Sequence, residues 1–408
     1  MRASRVLIAG ASIAGPALAH WLGRYGWETT IVERSRSLRT GGQNVDVRGA
    51  GREVARRMGI EDDIRAATTG ELGTRFVGPT GAVVAEFPAG TSDSGGMTAE
   101  LEILRGDLAR LLVGSTGSTG SDRGPATEYL WGDRIVALAD DGLGVTVTFE
   151  RGPERRFDLV VAADGIGSST RGLVFGSEVE IRSLGLETTW MTIPRTPSDT
   201  DWWYWYNAPG GRAVTLRPDA EGTIRATVSV LTEGERAGAE QRSVEGQKRL
   251  LRARFADVGW EAPRVLAAMD DADDLYSESV GQVRAPRWSA GRVALVGDAA
   301  YCASPISGMG TSLALVGAYV LAGELAAHVD HRDAFRGYER IVRPYVEQAQ
   351  KLPPGAPRLA HPRTAVGIRL FGLGLRAGST RFAGKLGERF PASRADAIDL
   401  PDYAHLER

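Results

Sequence analysis

The chain has 408 residues, 42% of them hydrophobic, enough for one large or two closely joined domains with a sizeable core. A net charge of −2 excludes the electrostatic footprint of a nucleic-acid binder and offers no basic tail to an anionic membrane. The one cysteine, Cys302, excludes an intrachain disulfide and fits a reducing cytoplasm, and no Cys/His cluster has metal-ligand spacing, so no metal is expected.

Arg5–Ala9 reads as a buried strand, Gly10–Gly15 as a turn, Pro16–Tyr25 as a helix and Thr29–Val32 as a second strand, together a βαβ unit. Arg2 and Arg5 before the apolar run, with Ala17-Leu18-Ala19 after it, also have the outline of a signal peptide, but the βαβ unit accounts for the same residues. Glu53–Met58 and Glu61–Ala67 read as short helices. Leu101–Val113 reads as a helix with Leu101, Leu104, Leu108 and Leu111 on one stripe, ending in a Gly/Ser/Thr loop from Gly114 to Gly120. Strands follow near Arg134–Leu138, Gly144–Glu150 and Phe157–Ala162.

From Leu184 the pattern changes. Thr188–Ile193, Trp202–Tyr206, Ala213–Leu216 and Thr223–Val230 alternate with Gly, Pro and Asp turns, as in an antiparallel sheet. Glu245–Phe255 and Pro263–Met269 return to helix, Arg292–Val296 is a buried strand and Thr311–His328 a long apolar helix, with a helical tail after Pro344. No uninterrupted apolar stretch reaches the ~20 residues of a membrane span, so no integral membrane association is expected. The expected fold is α/β: a discontinuous Rossmann-like domain from residues 1–72, 98–180 and 280–345, an inserted, mostly antiparallel sheet domain from 73–97 and 181–279, and a C-terminal helical cap over 346–408.

Four segments carry chemistry. The first is the turn Gly10-Ala11-Ser12-Ile13-Ala14-Gly15 between strand and helix, where glycines let the backbone approach a pyrophosphate resting on the helix N-terminus. Glu33, at the end of the next strand, is spaced to accept hydrogen bonds from an adenosine ribose, which suits FAD or NAD; Arg34 beside it weakens that preference. Ser12 stands where the middle glycine of the motif belongs.

The second segment is Leu295-Val296-Gly297-Asp298, followed by Pro305-Ile306-Ser307-Gly308-Met309-Gly310-Thr311 and a helix. Asp298 at a strand end is suited to the hydroxyls of a ribityl chain, and the helix N-terminus, with roughly half a positive charge, to a reduced flavin ring. The third, Ala162-Ala163-Asp164-Gly165, reads either as part of this site or as an ordinary Asp-Gly turn. In the fourth, Glu102–Leu108, Arg105 lies off the leucine stripe and reads either as a pyrophosphate ligand or as a solvated side chain.

Together these segments resemble the class A flavoprotein monooxygenases of the para-hydroxybenzoate hydroxylase-like fold, and within them the tetracycline-inactivating flavin monooxygenases. The likeness extends to Gly42–Gly49 and to Leu400-Pro401-Asp402-Tyr403. It implies FAD held by Gly10, Ser12, Ile13, Ala14, Gly15, Glu33, Arg34, Arg105, Asp164, Asp298, Pro305, Gly308, Met309, Gly310 and Thr311. Asp164 and Arg171 would support the pyrophosphate and the approach of NAD(P)H, with NADPH favoured. The Gly42–Gly49 segment would lie near the flavin ring and the C-terminal helices would cap the substrate.

The implied reaction uses NAD(P)H and O2 to hydroxylate, or insert oxygen into, an aromatic or polycyclic small molecule through a flavin C4a-hydroperoxide. A polyketide or tetracycline-like antibiotic is such a molecule, in a biosynthetic or an inactivating role. The flavin carries the chemistry, so no catalytic side chain is assigned. The five histidines, His20, His328, His331, His361 and His405, read as surface or packing residues. Trp203 and Trp205 share one strand face and read either as a platform for a flat substrate or as sheet packing. Met191, Arg212 and Ile306 complete the candidate substrate contacts; Arg212 and Arg225 read either as partners of an acidic substrate group or as surface residues. A dehydrogenase or reductase of the same fold, an NAD-linked dehydrogenase without flavin, and a flavoprotein that only sequesters its ligand remain as alternatives.

Overall fold

The computed structural model describes residues 4–39, 41–89, 99–117, 125–232, 243–379 and 398–407. Its centre is a six-stranded sheet with neighbours in the order Ser289–Ala290, Val293–Leu295, Leu159–Ala162, Arg5–Ala9, Glu28–Glu33 and Glu128–Trp131. All pairs are parallel except the first. Val6–Ala9 of the central strand is an unbroken apolar run because both its faces are covered, as in parallel sheets generally. Register Ile8↔Val161 and Val161↔Ala294 brings residues from three distant stretches of sequence to one sheet edge.

Two helices cover one face. Ala14–Arg24 follows the first strand, and Gly310–Ala327 packs across it, its residues buried from Thr311 to Leu325. The latter is long and apolar enough to cross a membrane, but 83% of it is buried inside the fold. On the opposite face Arg155–Phe157, Val145–Phe149 and Ile135–Asp140 form an antiparallel three-stranded sheet.

The second large sheet has seven strands: Tyr276–Arg284, Glu180–Pro194, Thr223–Leu231, Arg212–Pro218, Trp203–Ala208, Gly73–Val77 and Val83–Pro88. It is antiparallel except where Trp203–Ala208 runs parallel to Gly73–Val77. Period-two alternation divides its residues. Tyr206, Val214, Leu216, Ile224, Ala226 and Val228 pack with Phe255, Val265 and Met269 of the helical segment behind, and the other face is left for a cavity.

Several expected elements shift. Leu101–Val113 is not one helix: Glu102–Leu104 is a strand paired with Asn44–Asp46, and the helix is Arg105–Gly114. Leu104 has extended backbone, because residues 102–104 find their hydrogen bonds in the short ladder rather than in a first helical turn. Pro344 does not precede the tail but lies inside the helix His331–Ala349. The Ala365–Ser379 helix then packs on Val83–Pro88 and Trp203–Ala208. Residues 118–120 of the expected Gly/Ser/Thr loop, 90–97 and 233–242 of the expected sheet domain, and 380–397 and 408 of the expected cap lie outside the described residues.

Candidate active site

The glycine turn, the Asp298 loop and the free face of the seven-stranded sheet line one cavity of about 1570 Å³. Drug-sized sites span roughly 300–1,000 Å³, so this volume accommodates a large cofactor together with a second molecule.

At the cofactor end, Gly10 has φ +105° and an added Cβ would stand 2.5 Å from the Ala163 carbonyl oxygen. A Cβ on Gly15 would stand 2.0 Å from the Gly10 carbonyl oxygen. Glycine is therefore required by close backbone approach at both ends of the turn. Glu33 accepts hydrogen bonds from the Ala11 and Ser35 N–H groups at 3.0 and 2.9 Å, which anchors its carboxylate beside the turn with lone pairs to spare for a diol. Arg34 and Arg39 are exposed cations at the same end.

Arg105 lies at the start of its helix and donates from Nη1 to Ser12 Oγ at 3.1 Å and from Nη2 to the Gly41 carbonyl at 3.2 Å. Ser12 thus does work that a glycine there would not, holding the guanidinium over the turn. No carboxylate among the described residues reaches ion-pair distance of Arg105, and burial lowers its pKa, so it gains from a bound anion. Ser304 Oγ, on the cavity wall, is buried with no hydrogen-bond partner. Asp298 is open to the cavity yet surrounded by protein; desolvation raises its carboxyl pKa above the ordinary range. Pro305, Gly308, Met309, Gly310 and Thr311 continue the wall into the N-terminus of the Gly310–Ala327 helix. An anion-holding turn, a counter-charge without a partner and a free hydroxyl fit a dinucleotide flavin.

Asp164 lines the cavity too, but its carboxylate is used locally, accepting from Ser168 Oγ and, at 3.1 Å, from the Thr170 N–H. Arg171 is buried and donates to the carbonyls of Ala299 and Ile166 at 3.0 and 2.8 Å, tying the Asp164 turn to the Asp298 segment from behind the wall. Cys302 is buried, its thiol donating to the Gly281 carbonyl at 3.7 Å, and burial pushes its pKa up, as expected of a packing residue.

At the sheet end, Trp203 and Trp205 both face the cavity, with ring centroids 5.4 Å apart. Ile306 lines it as well. Two expected contacts need correcting. Arg212 does not reach the cavity: it pairs with Asp257 and donates to the Pro209 carbonyl at 2.7 Å on the outer edge. Met191 borders the cavity, but its side chain packs into the apolar core with Ile193 and Tyr206. In a strand the neighbouring residue faces the other way, and Trp190, stacked on Tyr276 at 5.9 Å, takes the cavity side instead.

Two arginines line the sheet end. Arg225 is not a surface residue; it is buried and held by Asp219, Glu221 and Asp274. Arg217, which the sequence did not single out, donates from Nε to Glu71 at 2.6 Å and from Nη2 to Glu102, and its guanidinium lies 4.3 Å from the Trp203 ring centroid. Its position opposite Trp203 on adjacent strands is the signal, visible only once the register is known. Burial and the nearby carboxylates of Glu71 and Asp46 push the Glu102 pKa up to about 7. His361 is a buried packing residue, as expected, but also borders the cavity. Its Nε2 lies 3.0 Å from Ser229 Oγ and its Nδ1 3.2 Å from the Pro357 carbonyl, and burial lowers its pKa, so the ring is neutral near pH 7.

A family model described as FAD binding domain matches residues 3–351. The chain is 36% identical over 432 aligned residues to the flavin-dependent monooxygenase eupH of Phoma sp., spanning 100% of this chain and 99% of that protein. It is 40% identical over 360 residues to an uncharacterized protein of Mycobacterium tuberculosis, across 86% of this chain and 94% of the relative. The crystal structure of tetracycline destructase Tet(51) aligns with a TM-score of 0.80 at 30% identity, over 99% of this chain and 100% of that one.

Proposed function

Given that this chain belongs to the FAD-binding family that includes flavin-dependent monooxygenases, we propose that it uses NAD(P)H and O2 to hydroxylate, or insert oxygen into, an aromatic or polycyclic small molecule. The observation that carries the proposal is the single cavity that joins the glycine turn and Asp298 loop to the tryptophan-lined sheet face. The likeness to a tetracycline destructase makes tetracyclines and related polyketides the first substrates to try.

Bound FAD supplies hydride acceptance and oxygen activation. The chain's residues do the rest. The Gly10–Gly15 turn and the N-terminus of the Ala14–Arg24 helix receive the pyrophosphate, with Arg105 supplying the counter-charge. Glu33 accepts from ribose hydroxyls and Asp298 from the ribityl chain. The positive end of the Gly310–Ala327 helix, which continues the cavity wall, would stabilise negative charge on a reduced flavin. Trp203 and Trp205 position a flat substrate and, with the Leu352–His361 stretch of the cavity wall, exclude water from the reacting atoms.

The test is to purify the chain, record its visible absorption, and follow NADPH and NADH oxidation with tetracyclines, phenols and aromatic polyketides, quantifying oxygenated product and hydrogen peroxide. Substrate-dependent NADPH and O2 consumption with an oxygenated product is expected. NAD(P)H oxidation with every tested class but no oxygenated product would refute the oxygenase assignment in favour of a reductase.

A further inference from the structure

The sheet end of the cavity holds its arginines in an unusual charge balance. Arg217 is fixed on three sides: Nε on Glu71 at 2.6 Å, Nη2 on Glu102, and one face over Trp203. Glu102 is itself held by donors from Asn44 and, at 2.9 Å, from Thr69 Oγ1. Nη1 of Arg217 is left. It makes no hydrogen bond among the described residues and is not sealed from the cavity, since the side chain keeps 16% exposure there. A guanidinium clamped in plane presents these two N–H groups in a fixed direction, with little entropy to lose when they meet an acceptor.

The charge it offers is already spent. Beside Arg217 and the Arg48–Asp46 pair at 2.9 Å stand Glu71 and Glu102, so two guanidinium groups face three carboxyl groups. Further along the wall Arg225 faces Asp219, Glu221 and Asp274. His361, at the same end, is neutral. Lys351, beside the Leu352–His361 stretch, also lines the cavity, but it is exposed to solvent, which screens its charge. A carboxylate entering here would lose its hydration and gain only hydrogen bonds, in a field of the wrong sign. A neutral carbonyl or phenol oxygen loses much less and gains the same donors.

We propose that Arg217 is a specificity-determining residue whose Nη1 donates to a neutral ketone, quinone or phenol oxygen of a flat substrate, and that the cavity selects uncharged oxygenated ring systems against carboxylated ones. This rests on reading the cavity as the oxygenase substrate site, and it narrows the substrate class.

The test uses the FAD-loaded protein and two probes, a dihydroxyanthraquinone and the same ring system bearing a carboxylate, with dissociation constants read from tryptophan fluorescence quenching. The neutral quinone is expected to bind at least about tenfold more tightly than the carboxylate in the unaltered protein. Arg217→Met weakens the neutral probe by about tenfold or more, and Arg217→Lys does not restore it, because the ammonium lacks the planar fork. Glu71→Gln, which frees positive charge on Arg217, tightens the carboxylate probe by roughly fivefold or more and narrows the gap.

Equal affinities for the two probes in the unaltered protein, failure of both to bind, or an unchanged ratio in Glu71→Gln overturns the proposal. Should Arg217→Met lose its far-ultraviolet dichroism, the Glu71→Gln ratio decides by itself. The titration needs no turnover. Discrimination without NADPH-driven oxygenation would sink the proposed activity and leave this inference standing, whereas oxygenation without discrimination would do the reverse.

Discussion

Replacing Gly10 with alanine probes the cofactor turn at its tightest point. The new Cβ would stand 2.5 Å from the Ala163 carbonyl oxygen, 2.9 Å from its carbon and 3.0 Å from Asp164 Cα, all of them backbone atoms that no side-chain rotation can move aside. The residue also holds φ +105°, outside the range comfortable for alanine. Left-handed strain of about 1–2 kcal/mol and an overpacking cost of about 1–3 kcal/mol together amount to a sizeable part of a typical stability of about 5–15 kcal/mol.

The cheapest relief is for the turn to move away from the Ala163–Asp164 backbone, which displaces the groups facing the pyrophosphate. Flavin affinity is therefore expected to fall by more than tenfold, roughly 1.4 kcal/mol per decade. Gly59→Ala is the control: it has φ +77° at a helix end, but its Cβ would meet nothing within 4 Å. It is expected to lower the melting temperature slightly with its flavin retained. Thermal melting of the flavin-free proteins and fluorescence titration with FAD read both effects. A Gly10→Ala protein that purifies with a full complement of flavin and melts like the parent would refute the reasoning.

Arg105→Ala removes a half-buried cation held over the turn; with about 1.5–3 kcal/mol for a charged hydrogen-bonded contact, FAD binding measured by flavin fluorescence should weaken roughly tenfold to a hundredfold. Glu102 has a raised pKa of about 7, so its contribution to stability is complete below the ordinary carboxyl range and declines as pH rises through about 7. Glu102→Gln should flatten the loss of melting temperature between about pH 6 and 8, and an unchanged slope would place the titration elsewhere. Arg212→Ala breaks a surface pair with Asp257 outside the cavity; it should change stability by about 0–1 kcal/mol and leave substrate KM where it was, and a large rise in KM would restore its place in the site.

The cofactor end was legible in the sequence because its constraints are local. A strand, a glycine turn and a helix follow one another, Glu33 closes one strand and Asp298 follows three residues after another that ends at Leu295, so the register of the parallel sheet brings them together without further information. Ser12 read as a defect and proves to be the acceptor for Arg105. The substrate end was much less legible. A one-residue step along a strand separates Trp190 on the cavity side from Met191 in the core, and nothing local says which face is which. Arg217, Glu71 and Glu102 come from three stretches of chain, and His361 meets Ser229 across 132 positions. Charge networks of this kind depend on pairing that no single segment encodes. The leucine stripe of residues 101–111 misled for a related reason: tertiary pairing with Asn44–Asp46 overrode the helical period at Glu102–Leu104.

The most direct measurement on the whole account is the ultraviolet–visible spectrum of the purified chain before and after anaerobic addition of NADPH, followed by admission of oxygen in the presence of an aromatic polyketide. Flavin absorption that bleaches with NADPH and returns with oxygen, leaving a product heavier by one oxygen atom, is the predicted result. A colourless chain that takes up no FAD would contradict the account at its foundation.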